Sequence, residues 1–147
     1  MNTDVTNTMV ELMREETAAY DILIVEDNVE QAHLTKMLLE EYGFSAHFVT
    51  KSAEAMRVIQ ADKPRVVILD LMMPQVDGLR LCQQIKNGAG ARNTKVIIYS
   101  GKMYDSDRRK ALKLGADAFF PKPTRANILI SKIRELLHPI HNGSYQN

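Results

Sequence analysis

From Asp21 onward the chain alternates short apolar runs with amphipathic stretches, and this alternation leaves very few folds open to it. Five runs read as strands: Ile22–Val25, Ala46–Val49, Val66–Leu69, Val96–Tyr99 and Ala118–Phe120. Between and after them, apolar residues recur at helical spacing. Leu34, Leu38 and Tyr42 mark the first helix, Leu79, Cys82 and Ile85 the third, and Leu129, Ile133, Leu136 and Leu137 the last. Five such pairs predict an α/β protein with a doubly wound parallel sheet, because parallel neighbours need a crossover and a helix supplies it. The first, third and fourth runs are continuously apolar, as strands covered on both faces are, so they belong in the centre. Pro121 has no amide proton to give a neighbour, which puts the fifth strand at an edge. The order 2-1-3-4-5 satisfies both conditions. Gly43 stands where the first helix needs a residue just past its end, and Thr124 where the last helix needs a cap.

The remaining composition mostly excludes. A chain of 147 residues, 45% hydrophobic and 25% charged, suits one domain with one core. We expect that domain at 21–138, after an extension at 1–20 that is loose or a short helix with Val10, Met13 and Thr17 on one face, and before a polar tail at 139–147. Lys and Arg number 19 against 18 Asp and Glu, so the net field gives no reason to expect nucleic acid as a partner. The single cysteine, Cys82, excludes an internal disulfide and a multi-cysteine metal site, and suits a reducing compartment; the cytoplasm is the expectation. No apolar run approaches the roughly 20 residues that span a bilayer. The first twenty residues carry Asp4, Glu11, Glu15 and Glu16 rather than a basic-then-apolar leader. His33, His47, His138 and His141 share no ligand spacing and read as surface residues, while Cys82 reads as a small buried side chain.

Chemistry gathers where the strands end. Right-handed crossovers put helices on both faces of such a sheet and open a crevice at the carboxyl ends of the strands, where the order reverses. Glu26 and Asp27 close the first strand, Asp70 the third, Ser100 and Gly101 the fourth, Lys122 and Pro123 the fifth. An acidic pair after a strand is by itself a weak signal, since carboxylates there often cap the next helix. The joint placement of carboxylates, a hydroxyl and a lysine is far more specific. Three carboxylates within a few ångströms repel by about 4 kcal/mol per close pair at an effective dielectric near 20, which calls for a cation, and oxygen-only ligands favour Mg²⁺.

The segments ILIVEDN at 22–28, VVILDLMMPQVDG at 66–78, VIIYSG at 96–101 and GADAFFPKP at 115–123 resemble the response-regulator receiver domains of two-component signalling. The resemblance covers about residues 20–138, with the blocks in the family's order and spacing. It implies a flavodoxin-like receiver fold of the stand-alone, chemotaxis type. It further implies that Asp70 is phosphorylated and that Mg²⁺ is held by Glu26, Asp27, Asp70 and the main-chain carbonyl of Met72. Ser100 would be the switch hydroxyl, Phe119 the switch aromatic, and Lys122 the lysine that neutralises the transferred group, aimed inward by a cis bond to Pro123. Met73–Pro74 and Asp77–Gly78 would form the turn that holds the loop after Asp70. Met72 and Lys102 flank the approach of water and would tune the lifetime of the phosphorylated state. The donor would be a histidine kinase or a histidine phosphotransfer protein, and the output a protein that reads the face of the fourth helix, fifth strand and fifth helix. Phe119 lacks the hydroxyl of the tyrosine commoner in the family there, so output contacts through that hydroxyl are absent.

Such a protein is a signalling phospho-acceptor rather than an enzyme, with chemistry confined to its own phosphorylation and dephosphorylation. One alternative is a receiver cut from a longer regulator or a hybrid kinase. Another, ranked lowest, is a hydrolase with an aspartyl-phosphate intermediate on Asp70. Met72 stands where such an enzyme would want a second aspartate as acid and base. Finally, Lys102, Arg108, Arg109, Lys110 and Lys113 concentrate positive charge around the fourth helix; this is a solvated face or a surface for an acidic partner.

Overall fold

A computed structural model of the chain describes residues 18–73, 77–88, 93–101 and 104–138. The expectations for Val10, Met13 and Thr17, for Pro74, for Lys102, for His141 and for the tail at 139–147 fall outside these residues. In chain order the elements are β1 (Ile22–Val25), α1 (Val29–Glu41), β2 (Ala46–Val49), a 3-10 turn (Ser52–Glu54), α2 (Ala55–Asp62), β3 (Val66–Leu69), α3 (Gly78–Asn87), β4 (Lys95–Ser100), α4 (Asp105–Lys113), β5 (Ala118–Pro121) and α5 (Ala126–Leu137).

The five strands form one parallel sheet in the order β2-β1-β3-β4-β5. This is the predicted doubly wound α/β arrangement. The three continuously apolar runs occupy its centre, and all four residues of β1 and of β3 are buried. β4 extends one residue beyond the prediction at each end, and β5 runs on to Pro121, which pairs with Ser100 from its edge position. Side chains alternate between the faces along each strand. Leu23, Val25, Val67, Leu69, Val96, Ile98 and Phe119 pack with Ile59, Cys82, Ile85 and Ala111 of α2, α3 and α4. Ile22, Ile24, Val66, Ile68, Ile97 and Ala118 pack with Leu39, Leu129, Ile130, Ile133 and Leu137 of α1 and α5.

Local expectations fared unevenly. Gly43 follows α1 with φ of +93°, the left-handed conformation that a helix end asks of glycine. The face of α1, however, differs from the one read off the sequence. Ala32 and Leu39 are fully buried, whereas Leu34 is 64% exposed and Tyr42 is exposed as well. This helix spreads apolar residues such as Val29, Ala32, Leu34, Met37 and Leu39 around more than one side, so periodicity could not choose its inner face. Thr124 does not cap α5. Its hydroxyl donates back to the carbonyl of Pro121, and Arg125 precedes the helix without a side-chain cap.

Candidate functional site

Backbone hydrogen bonds carry the sheet's register just past the strand ends and so level the residues that follow. The amide of Glu26 donates to Val49 O at 3.1 Å, that of Asp70 to Val25 O at 3.1 Å, and that of Lys122 to Ser100 O at 2.9 Å. Glu26, Asp70, Ser100 and Lys122 therefore meet at the carboxyl edge, where the sequence placed them. The Lys122–Pro123 bond is cis, as the resemblance implied.

Asp70 is the centre. Only 7% exposed, it accepts two hydrogen bonds on Oδ1, from the Met72 amide at 2.9 Å and the Ser100 hydroxyl at 2.8 Å. Its Oδ2 faces the Lys122 ammonium at 3.2 Å. Burial pushes its carboxyl up, but the Met72 amide, the Ser100 hydroxyl and the Lys122 charge together outweigh burial and hold it below the usual carboxylate range. Glu26 goes the other way. Burial, helped by the negative charge of Asp70, raises its carboxyl even though Lys122 bonds to it.

Lys122 touches Glu26, Asp70 and, from the first turn of α1, the side-chain oxygen of Gln31 at 2.9 Å. Burial alone would lower its ammonium, yet the two carboxylates raise it, and it is charged at neutral pH. Its Nζ also lies 5.5 Å from the centroid of the Tyr99 ring, within cation–π reach. Lys122 already supplies a positive charge to Glu26 and Asp70, which offsets the three carboxylates only in part. A charge deficit still persists. Oxygens of Glu26, Asp27 and Asp70 lie within 4.8 Å of one another, and Asp27 is exposed to solvent. Three negatively charged oxygen donors with one open side fit a small hard cation such as Mg²⁺.

Sequence reasoning missed Gln31 and Tyr99. A glutamine one turn into a helix has no motif, and its distance from Lys122 along the chain is 91 residues. The expected turn around Asp77–Gly78 is also different in kind. Asp77 caps α3 by accepting from the Leu79 amide at 3.0 Å, and Gly78 opens the helix. A Cβ on Gly78 would sit 2.9 Å from the Cα of Leu71, so glycine is required there by close approach. Met72 is 58% exposed, and Phe119 is buried in the cluster under α2, α3 and α4. Arg108, Arg109, Lys110 and Lys113 are exposed on α4. His33, His47 and His138 are exposed and Cys82 is fully buried, as expected. Among the described residues, no helix is long and apolar enough to cross a membrane.

Comparison with known proteins adds independent support. The profile of the response regulator receiver domain matches residues 22–134. The response regulator MprA of Mycobacterium tuberculosis is 32% identical over 116 residues, covering 79% of this chain and 50% of that protein. MprA of Mycolicibacterium vanbaalenii is 31% identical, covering 79% and 49%. The chain thus spans about half the length of the curated relatives it matches. Among solved structures, the signal receiver domain of a DNA binding response regulator (merR) from Colwellia psychrerythraea superposes with a TM-score of 0.75 at 32% identity, covering 80% of this chain and 98% of that one. The BeF3-activated N-terminal receiver domain of RstA from Klebsiella pneumoniae gives 0.75 at 25% identity, with the same coverage. A sheet of this order, a buried aspartate at its carboxyl edge and a match over most of the chain agree, and the protein belongs to the response regulator receiver domain family.

Proposed function

We propose that Asp70 accepts a phosphoryl group from a phosphohistidine on a histidine kinase or histidine phosphotransfer protein, and that the modified domain signals through a changed surface. The observation that carries this reading is the environment of the Asp70 carboxylate. It is buried, ionised and held from two sides by groups that would serve equally well on a phosphoryl group: a hydroxyl and an amide on Oδ1, an ammonium at Oδ2. In the step itself an Asp70 oxygen forms a bond to phosphorus while the bond from phosphorus to the donor nitrogen breaks, and the imidazole leaves with that electron pair. Lys122 neutralises the charge on the moving oxygens. Glu26, Asp27, Asp70 and the Met72 carbonyl are the residues proposed to hold Mg²⁺, which supplies charge stabilisation for the same oxygens.

A phosphoryl group adds about −1.5 to −2 charge and strong acceptors, so the Ser100 hydroxyl turns from Asp70 Oδ1 toward it. Movement of Ser100 shifts the end of β4, which pairs with β5 where Phe119 lies opposite Ile98. The face made by α4, β5 and α5 is the proposed output surface, with its exposed arginines and lysines suited to an acidic partner. We place the working protein in the cytoplasm. Two forms of output remain distinct: a stand-alone domain read by a separate protein, or a receiver joined to an output domain, which the double length of the MprA relatives favours.

The deciding experiment incubates the protein with Mg²⁺ and acetyl phosphate and reads its intact mass. The expected result is a gain of one phosphoryl group that is absent in Asp70→Asn. No gain under saturating donor overturns the reading.

A further inference from the structure

An ammonium has three N–H donors, and three acceptors meet the one on Lys122. Two are carboxylates, Glu26 and Asp70. Both are committed elsewhere under the proposed function: Glu26 to the cation, Asp70 to phosphorus. The third, the carboxamide oxygen of Gln31 at 2.9 Å, is given no other role in that step. Its base is fixed. The Gln31 amide donates to the capping oxygen of Asn28 at 3.0 Å, so the side chain projects from an anchored first turn of α1. The oxygen is also neutral. It holds an ammonium without adding a fourth negative charge beside Glu26, Asp27 and Asp70, and without drawing the cation away from them.

We propose that Gln31 is a positioning residue for Lys122, one that keeps its ammonium aimed at the phosphoryl oxygens while the two carboxylates change partners. This rests on the reading of Asp70 as phospho-acceptor. The lysine stem is long and flexible, and an ammonium released by Glu26 would otherwise be free to swing to solvent. With Gln31 in place one N–H stays bound throughout, the Tyr99 ring lies within cation–π range, and the N–H that had met Asp70 Oδ2 becomes free for the incoming group.

Gln31→Met keeps the length of the side chain but offers only a weak sulfur acceptor. Two measurements test the proposal. The first is the rate of Asp70 labelling by acetyl phosphate with Mg²⁺ in a cycle of wild type, Gln31→Met, Lys122→Ala and the double variant. Gln31→Met should slow labelling about tenfold, equal to about 1.4 kcal/mol, in the presence of Lys122, and by less than about twofold in its absence. A uniform slowing in both backgrounds, or none in either, overturns the idea. The second measurement needs no phosphorylation: exchange of the Lys122 ammonium protons with water, followed by nitrogen-15 NMR of the metal-free protein. It should quicken several-fold in Gln31→Met, and an unchanged rate overturns the proposal. If wild type fails to label while this exchange responds, the phospho-acceptor reading has failed and the Gln31–Lys122 contact stands as observed.

Discussion

The Ser100 hydroxyl donates to Asp70 Oδ1 at 2.8 Å, on the same oxygen that the Met72 amide approaches at 2.9 Å, so one side of the carboxylate is saturated while the other faces Lys122. A hydrogen bond to a charged group contributes about 2 kcal/mol. The Asp70 carboxyl is held below its unfolded value, so its contribution to stability is present above about pH 4 and is lost as pH falls through the folded value. Ser100→Ala should therefore be about 2 kcal/mol less stable than wild type at pH 7, with a smaller gap at pH 3. Urea unfolding at the two pH values checks this. A gap that does not change with pH would show that the hydroxyl acts through packing alone.

Cation binding should depend on Asp27 and be opposed by Lys122. Asp27 is the exposed member of the acidic trio, and losing it leaves too few charged oxygens for an ion that dehydrates reluctantly. Calorimetric titration with Mg²⁺ should show Asp27→Ala at least about tenfold weaker, equal to about 1.4 kcal/mol. Lys122→Ala should bind more tightly than wild type, because Glu26 and Asp70 lose their competing ammonium.

Gly78 lies against the loop that carries Asp70. An added methyl would meet Leu71 Cδ2 at 2.8 Å, Leu71 Cα at 2.9 Å and Asp70 O at 3.3 Å, and the last two are backbone atoms that cannot step aside cheaply. Gly78→Ala should cost about 1–3 kcal/mol in thermal or urea unfolding. Because the strain falls on the loop after Asp70, labelling of that residue should slow as well. Unaltered stability with unaltered labelling would show that the loop absorbs the methyl.

Cys82 is fully buried on α3 and its thiol is pushed up to about 11 by burial, with Asp117 adding to this and Lys86 opposing it. A native value above the unfolded one means that the buried thiol contributes stability at neutral pH, and that this is lost as pH rises from about 9 toward 11. The loss approaches roughly 3 kcal/mol. Cys82→Ala should therefore show a shallower fall in stability across that range than wild type. Iodoacetamide should modify the native thiol at pH 8 far more slowly than the unfolded one. Rapid alkylation of the native protein would contradict both expectations.

Met72 is 58% exposed, and its sulfur lies 3.5 Å from where a Cβ on Gly101 would be. We propose that it screens the phosphorus from water by bulk and, with Lys102, offers no good acceptor for the protons of an attacking water. Met72→Asn combined with Lys102→Glu should shorten the life of the phosphorylated state roughly tenfold, equal to about 1.4 kcal/mol of barrier. Decay of purified phosphoprotein with Mg²⁺ present and donor removed is the measurement, and equal decay rates would exclude these side chains as gates.

The amino-acid sequence by itself determined the sheet, its order and which edge carries the chemistry. Continuous apolar runs can only be central strands, Pro121 can only pair from an edge, and handed crossovers then bring the ends of β1, β3, β4 and β5 together. Motif spacing carried Glu26, Asp27, Asp70, Ser100 and Lys122 to that edge because Ser100 ends its strand and the others follow theirs within two residues. Tertiary structure alone decided what lies off the strands. The inner face of α1, on which Ala32 and Leu39 are buried, was settled by packing, because apolar residues spread around more than one side of the helix leave periodicity no single face to choose. The need for glycine at 78 arises from contact with Leu71, and the engagement of Lys122 by Gln31 bridges residues 91 apart in the chain. Such contacts depend on where two separately folded elements come to rest, and only the packed chain sets that distance.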